Sequence, residues 1–236
     1  MKSLNIGVIG ASGKIGKELI SIIEEKQHIP FFGIYAKNKP TGYLNKALDI
    51  TSENNYSLAE KVDIWIDFSL PESFEKFIPQ VASFHKPIIS GTTGLTPAQK
   101  EILKEAAGKC PILWSSNMSI GIAVLAEALN VFKRIKHFDF QIEELHHRRK
   151  KDAPSGTAVT LQNKLVDVIE KEAPPPVSIR GGGIFGIHKI WAMSEQEVIT
   201  FEHQALNRRV FAEGAMFAGL KLLGKPNGFY ELKDLL

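Results

Sequence analysis

Gly7, Gly10, Gly13 and Gly16 recur at every third position across the join between an apolar run, Leu4 to Ile9, and a helical pattern carried by Ile15, Leu19, Ile20 and Ile23. A short apolar run bounded by glycine reads as a buried strand, and apolar residues three and four apart read as one face of a helix. The chain therefore opens strand, turn, helix, with a turn tight enough to favour residues without a side chain. Apolar runs follow at Phe31 to Tyr35, Val62 to Phe68, Pro87 to Ser90 and Ile112 to Ser115, and Pro71 and the pair Thr96-Pro97 mark helix starts between them. Strands alternating with helices predict an α/β fold with a doubly wound parallel sheet, because each helix supplies the crossover that parallel neighbours need.

The pattern changes after Asn117. Ser119 to Phe132 reads as one long apolar helix, and Phe138, Phe140 and Ile142 then alternate with Asp139, Gln141 and Glu143 as in a half-buried strand. Ala158 to Lys171 places Leu161, Leu165, Val168 and Ile169 on one helical face, with Pro174-Pro175-Pro176 as its stop. Strands are expected at Val177 to Arg180, Ile187 to Met193 and Val198 to Ala205. This half reads as a second, smaller α+β domain. A closing helix, about Arg208 to Leu223, ends at Gly224 with Pro226 beyond it. The pattern leaves open whether that helix returns to the first domain.

The 236 residues are 44% hydrophobic and 23% charged, enough apolar material for a core. The net charge of +3 comes from scattered lysines and arginines, apart from the run Arg148-Arg149-Lys150-Lys151, so nucleic-acid binding is not expected. Cys110 is the only cysteine. That excludes an internal disulfide and a cysteine-rich metal site, and it fits a reducing compartment. No stretch approaches the ~20 apolar residues of a membrane span. A soluble cytoplasmic protein is the expectation.

The glycine turn has a chemical use as well as a steric one. Backbone N–H groups at a helix N-terminus attract an anion, and glycine lets a pyrophosphate approach them closely, as in a Rossmann-like dinucleotide site. A nucleoside-triphosphate loop fits less well, because Lys14 is followed by Ile15 rather than Ser or Thr, and Val8 stands where that loop needs glycine. The plainer reading is a tight turn and nothing more. An acidic residue is expected after the second strand to hold the adenosine ribose, but Phe31 to Ala36 offers none, and Lys37 and Lys39 follow. Cations there suit a 2′-phosphate, so NADPH is expected to serve at least as well as NADH. Exposed loop lysines are the competing view.

The densest chemistry runs from Glu144 to Thr157. Ser155, Gly156 and Thr157 precede an amphipathic helix, where their N–H and hydroxyl groups can cap it or hold a carboxylate. Lys150 offers a positive charge, and His146 and His147 offer imidazoles, the side-chain type suited to proton transfer near neutral pH. Neighbouring histidines on a strand point to opposite faces, so they cannot share a metal ion, and no metal site is expected. The basic run, embedded between these histidines and the helix start, favours a small anion over a nucleic acid. Another two-domain dehydrogenase, or a nucleotide-sensing module without catalysis, remains as an alternative class.

The same segment resembles the 4-hydroxy-tetrahydrodipicolinate reductase (dihydrodipicolinate reductase) family, whose pattern of Glu, His-His, Lys and Asp-Ala-Pro-Ser-Gly-Thr-Ala is complete here through Ala158. Ile66-Asp67-Phe68-Ser69, Gly91-Thr92-Thr93-Gly94, Ser115-Ser116-Asn117-Met118 and the stretch from His203 to Ala215 also match. The resemblance implies that Gly10, Ala11, Ser12, Gly13, Lys14 and Ile15 bind the dinucleotide, whereas Lys37 departs from it, standing where the family pattern expects an acid. Gly91, Thr92, Thr93, Ser115, Ser116, Asn117 and Met118 would line the nicotinamide half, with Phe68 beside the ring. His146 is implied as proton donor or acceptor and Lys150 as a second donor, while His147, Ser155, Gly156 and Thr157 would touch substrate. Arg208 is a weaker match. Residues 1–117 with 208–236 would form a discontinuous dinucleotide domain, and residues 118–207 a substrate domain carrying homotetramer contacts. The implied reaction is reduction of 4-hydroxy-tetrahydrodipicolinate, a small dicarboxylate, by NADPH or NADH in diaminopimelate and lysine biosynthesis. Met118 departs from the pattern, where an aromatic residue is common. Residues 41–57 read as a polar loop with no assigned role.

Overall fold

The computed structural model describes residues 2–34 and 56–236. The chain divides into two compact units, Met1–Ser119 with Phe211–Leu236, and Ile120–Val210.

In the first unit β1 (Asn5–Ile9), β2 (Ile29–Ile34), β3 (Ile64–Asp67), β4 (Ile88–Ser90) and β5 (Pro111–Trp114) alternate with α1 (Lys14–Glu25), the single turn α2 (Tyr56–Ala59), α3 (Pro71–Ala82) and α4 (Pro97–Ala107). Every pairing is parallel, and the spatial order puts β2 to one side of β1 and β3, β4 and β5 to the other. The chain therefore reverses its winding at β1. A crevice opens beyond the C-terminal ends of β1 and β3, the place where open α/β sheets bind ligands. Helices on both faces explain why Ile6, Val8, Ile9, Ile64, Trp65 and Ile66 are all fully buried instead of alternating in and out. Gly7 makes room in this layer, since a β-carbon there would lie 2.4 Å from the Trp65 ring. Thr96 caps α4 as its motif predicts, exchanging hydrogen bonds with Gln99.

The end of the chain was only half legible. The closing helix, here α7 (Arg209–Leu222), stops before Gly224 at φ +76°, and its small residues Ala215, Ala218 and Gly219 are buried. Gly219 packs so closely that a β-carbon would sit 3.0 Å from Ile64. A further strand then appears, β10 (Gly228–Tyr230), pairing in parallel with β5 as the sixth strand of the sheet. It is too short, and its Phe229 too exposed, to leave an apolar run in the sequence. The last strand therefore lies in the same sheet as β1 to β5.

The second unit holds α5 (Ile120–Ala128), β6 (Asp139–His146), α6 (Gly156–Ile169), β7 (Val177–Arg180), β8 (Gly186–Met193) and β9 (Val198–Ala205). Its sheet runs in the order β7-β6-β8-β9, parallel between β6 and β7 and antiparallel elsewhere. The expected doubly wound sheet with a smaller α+β unit is thus the observed fold. Two local expectations need correction. The helix expected from Ser119 to Phe132 ends at Ala128 and tightens into a 3-10 turn, Leu129–Arg134. Asn130 explains this locally: its side-chain amide donates to the Glu127 carbonyl at 2.9 Å, competing with the next α-helical bond. α6 stops before the prolines reach it, at Glu170 in the left-handed region with φ +55°. Among the described residues no helix is long and apolar enough to cross a membrane.

Candidate functional site

Gly10 has φ +84°, which side chains other than glycine adopt at a cost, and a β-carbon there would lie 2.3 Å from the Phe68 carbonyl oxygen. At Gly16 it would meet the Gly10 carbonyl at 2.3 Å. The turn after β1 is therefore packed against the turn after β3 with backbone touching backbone. Gly13 caps α1 without any side-chain hydrogen bond, so the helix starts with bare amides suited to an anion. Gly10→Ala is expected to cost about 1–3 kcal/mol of stability and to weaken dinucleotide binding about tenfold or more, because both the φ angle and the contact must change. Denaturant unfolding and nucleotide titration of the purified variant check both effects.

A cavity of ≈ 410 Å³ opens beside this turn, lined by Lys14, Ile15, Phe68, Ser69, Gly91, Thr93, Ser116, Met118 and Phe211. Gly91 lets the Phe68 ring pack closely against the chain, since a β-carbon would be 2.3 Å from the ring. The remaining sequence candidates stand behind this lining. Gly10, Ala11, Ser12 and Gly13 form the turn itself. Thr92 is buried and donates to Asp67, while its carbonyl accepts from the Trp114 indole at 2.8 Å. Ser115 and Asn117 bond to each other and shape the loop. Lys37 and residues 41–55 lie outside the described residues.

Asp67, Ser69 and Phe211 were missed as site residues. Asp67 is fully buried, and burial pushes its carboxyl pKa up against the hydrogen bonds it accepts. Those come from Ser90 Oγ at 2.6 Å, Thr92 Oγ at 2.8 Å and the Ser69 amide at 3.0 Å. The available signal was an acid inside an otherwise apolar run, Ile64 to Phe68. Its effect is to tie the loops after β3 and β4 together beneath the cavity.

A second constellation lies within the other unit and follows from strand register. On β6 the residues facing inward are Phe140, Ile142, Glu144 and His146, so the alternation that builds the core continues into two polar groups. Opposite them, Ile142 pairs with Ile190 and Ile190 with Phe201, an apolar row. One step on, Ser178, Glu144, His188 and His203 form a polar row across all four strands. His146 pairs with Arg180.

Glu144 is inaccessible to solvent, and its carboxylate accepts from Arg180 Nη1 at 3.0 Å, Arg180 Nη2 at 2.6 Å, the Ser155 amide at 3.2 Å and His146 Nδ1. Burial acts to raise its pKa, but the Arg180 fork and His146 outweigh it and hold the carboxyl down at about 2. His146 is pushed below its ordinary pKa by burial, with Glu144 opposing and Lys150 and Arg180 adding to the depression. His188, edge-on to His146 at 5.2 Å between ring centres, is held down to about 4 by burial and by His146. Its Nε2 lies 3.3 Å from Ser155 Oγ, which also caps α6 by accepting from the Ala158 amide at 3.2 Å. Lys150 Nζ pairs with Asp152 at 2.9 Å, and Arg180 Nη2 reaches the Asp152 carbonyl at 2.6 Å.

His146, Lys150 and Ser155 are thus brought to one place. Gly156 and Thr157 start α6 beside them, while His147 follows the last residue of β6, its amide donating to the Ile184 carbonyl at 2.7 Å. Arg180, His188 and Glu144 were not assigned roles from sequence. Only Glu144 lay inside the motif; the other two arrive from distant strands.

Residues 4–118 match the sequence model described as dihydrodipicolinate reductase, N-terminus, and residues 120–236 the one described as dihydrodipicolinate reductase, C-terminus. The chain belongs to the dihydrodipicolinate reductase family. Its relatives in that family include the 4-hydroxy-tetrahydrodipicolinate reductase of Bdellovibrio bacteriovorus, 45% identical over all of this chain and 97% of the relative. That of Xanthomonas campestris pv. campestris is 37% identical over 96% of this chain and 95% of its own. Among solved structures, a dipicolinate-bound dihydrodipicolinate reductase from Paenisporosarcina sp. TG-14 superposes with a TM-score of 0.82 over the full length of both chains, at 21% identity. This family fold is the one built above from the glycine turn and the two sheets.

Proposed function

We propose that this chain reduces 4-hydroxy-tetrahydrodipicolinate to tetrahydrodipicolinate with NADPH or NADH, a step of diaminopimelate and lysine biosynthesis carried out in the cytoplasm. The observation that carries the reading is the convergence of His146, Lys150 and the α6 start around a buried carboxylate. It agrees with the names of full-length relatives. The first unit holds the dinucleotide: bare amides at the start of α1 receive the pyrophosphate, and the cavity beside Phe68, Gly91, Thr93, Ser116 and Met118 has room for the nicotinamide. A reduced nicotinamide bound there supplies the hydride.

The second unit binds the dicarboxylate and carries the contacts of a homotetramer, for which Val177, Ile179 and Val198 offer exposed apolar surface on its outer strands. Lys150 and the N–H groups of Gly156 and Thr157 at the α6 start neutralise the carboxylates. Loss of the C4 hydroxyl with a hydrogen from the carbon between C4 and the imine carbon would release water and leave a conjugated imine. Hydride reaching C4 would then put charge on that neighbouring carbon, to which His146, as imidazolium, would give its Nε2 proton.

Substrate generated freshly from pyruvate and aspartate semialdehyde should cause loss of NADPH absorbance. Absence of substrate-dependent oxidation would favour another dehydrogenase or a nucleotide-sensing module. For the 2′-phosphate we assign Lys37, and Lys37→Ala is expected to raise the KM for NADPH about tenfold, the worth of one charge-assisted hydrogen bond, with little change for NADH. A much lower KM for NADH in the unmodified enzyme, unaffected by the substitution, speaks for NADH as the working cofactor.

A further inference from the structure

Arg180 is the one group in the second constellation that touches the supports of both His146 and Lys150. Its Nη1 and Nη2 fork the Glu144 carboxylate, which in turn takes the Nδ1 proton of His146, and the same Nη2 holds the Asp152 carbonyl, two residues beyond Lys150. The Lys150 ammonium closes the turn on the Asp152 side chain. A buried Arg–carboxylate pair gains little net stability over well-packed apolar residues, because both charges lose their hydration. The two preceding rows of the same face hold Phe140 and Ile142, with Ile190 opposite the latter, so apolar packing was available to this sheet. The pair calls for a different explanation.

The other side of His146 is kept open. Its Nε2 makes no hydrogen bond to a described residue, and Gly186 on β8 faces it so closely that a β-carbon would lie 3.1 Å away and cover it. Nδ1 is therefore engaged inward, and Nε2 is the nitrogen left free to exchange a proton.

We propose that Arg180 is the positioning residue of this site, fixing through Glu144 the His146 tautomer with its proton on Nδ1 and fixing through the Asp152 carbonyl the turn that carries Lys150. Glu144 acts with it, as the carboxylate that orients the imidazole and stabilises the imidazolium. This assignment rests on the reaction proposed above only for its kinetic consequences. The groups that face His146 are Glu144 on its own strand, Arg180 from β7, His188 from β8 with His203 of β9 behind it, and Lys150 with Asp152 from the turn. Arg180 depresses the His146 pKa by its charge, so removing it raises that pKa. If His146 is the donor, the alkaline fall-off of kcat then moves to higher pH.

The test has two readouts on the full-length protein. In nitrogen-15 spectra of histidine-labelled protein without substrate, His146, assigned by its loss in His146→Gln, is expected to carry its proton on Nδ1 when neutral. A native ring protonated on Nε2 overturns the proposal. In kinetics, Arg180→Met and Glu144→Gln are each expected to lower kcat about 10- to 100-fold with the nucleotide KM unchanged, the scale of a small misplacement of reacting groups. Arg180→Met should also shift the alkaline fall-off upward. Arg180→Lys keeps the charge without the planar fork, so it should lose kcat and retain the fall-off. Native-like kcat and an unmoved profile in Arg180→Met overturn the proposal, and if that variant does not fold, Arg180→Lys and the spectrum of the native protein decide. A native enzyme inactive on the proposed substrate refutes the reaction, while the tautomer is still read directly.

Discussion

His146→Gln is expected to lower kcat by about 10²- to 10⁴-fold, the usual contribution of a positioned acid or base, while the dinucleotide dissociation constant stays unchanged. Glutamine preserves much of the ring's bulk and a polar tip but cannot hold an exchangeable proton at neutral pH. The substitution also leaves Glu144 its Arg180 fork and the Ser155 amide, so the buried carboxylate keeps partners and the variant should fold. Since burial lowers the His146 pKa below its ordinary value, an enzyme using it as donor loses kcat/KM as pH rises from mildly acid values. That limb should vanish in His146→Gln. Near-native turnover of the purified variant, measured by NADPH oxidation, would remove His146 from the chemistry and with it the proposed mechanism.

Lys150→Ala is the second large effect, an expected fall in kcat/KM of about 10²- to 10³-fold, in keeping with the cost of truncating one member of a hydrogen-bonded charge pair. In the ligand-free protein the ammonium is already ordered by Asp152 at 2.9 Å, and its side chain is only 23% exposed. Asp152 is held below the usual carboxylate range by Lys150, despite the opposing effect of partial burial. A substrate carboxylate therefore meets a lysine whose conformational entropy is largely spent. Removing it also leaves the Asp152 carboxylate without its cation beside the incoming anion, so the repulsion adds to the lost attraction. Nucleotide titration is the control, because Lys150 lies in the second unit and the cavity residues lie in the first. An unchanged kcat/KM with intact nucleotide binding would mean that the dicarboxylate is held elsewhere.

What could be read from the sequence had short-range causes. The glycine turn, the βα alternation and the strands Val177–Arg180 and Val198–Ala205 each depend on neighbours a few residues away, and all are found in place. His146, Lys150 and Ser155 were legible together because one β-strand, one turn and one helix start carry them within ten residues. Arg180 and His188 were not, because what gives each its partner is the pairing of β7 and β8 with β6, and no local pattern encodes which side chains a sheet will set side by side. Asp67 escaped for a related reason. An acid at the end of a buried strand looks like the strand's edge until Ser90 and Thr92 of the next crossover are seen donating to it. β10 has only three residues and depends wholly on the waiting edge of β5.

Two histidines stand side by side at the end of β6, chemically equal as letters in the chain. The choice between them is made by Phe140 and Ile142, which pack into the core and so dictate that His146, an even number of positions away, faces inward beside Glu144. Slip the strand by one residue and Leu145 and His147 would face that way instead. The reagent is thus selected by hydrocarbon several residues distant, and substitutions that loosen this grip threaten the identity of the proton donor before they threaten the fold.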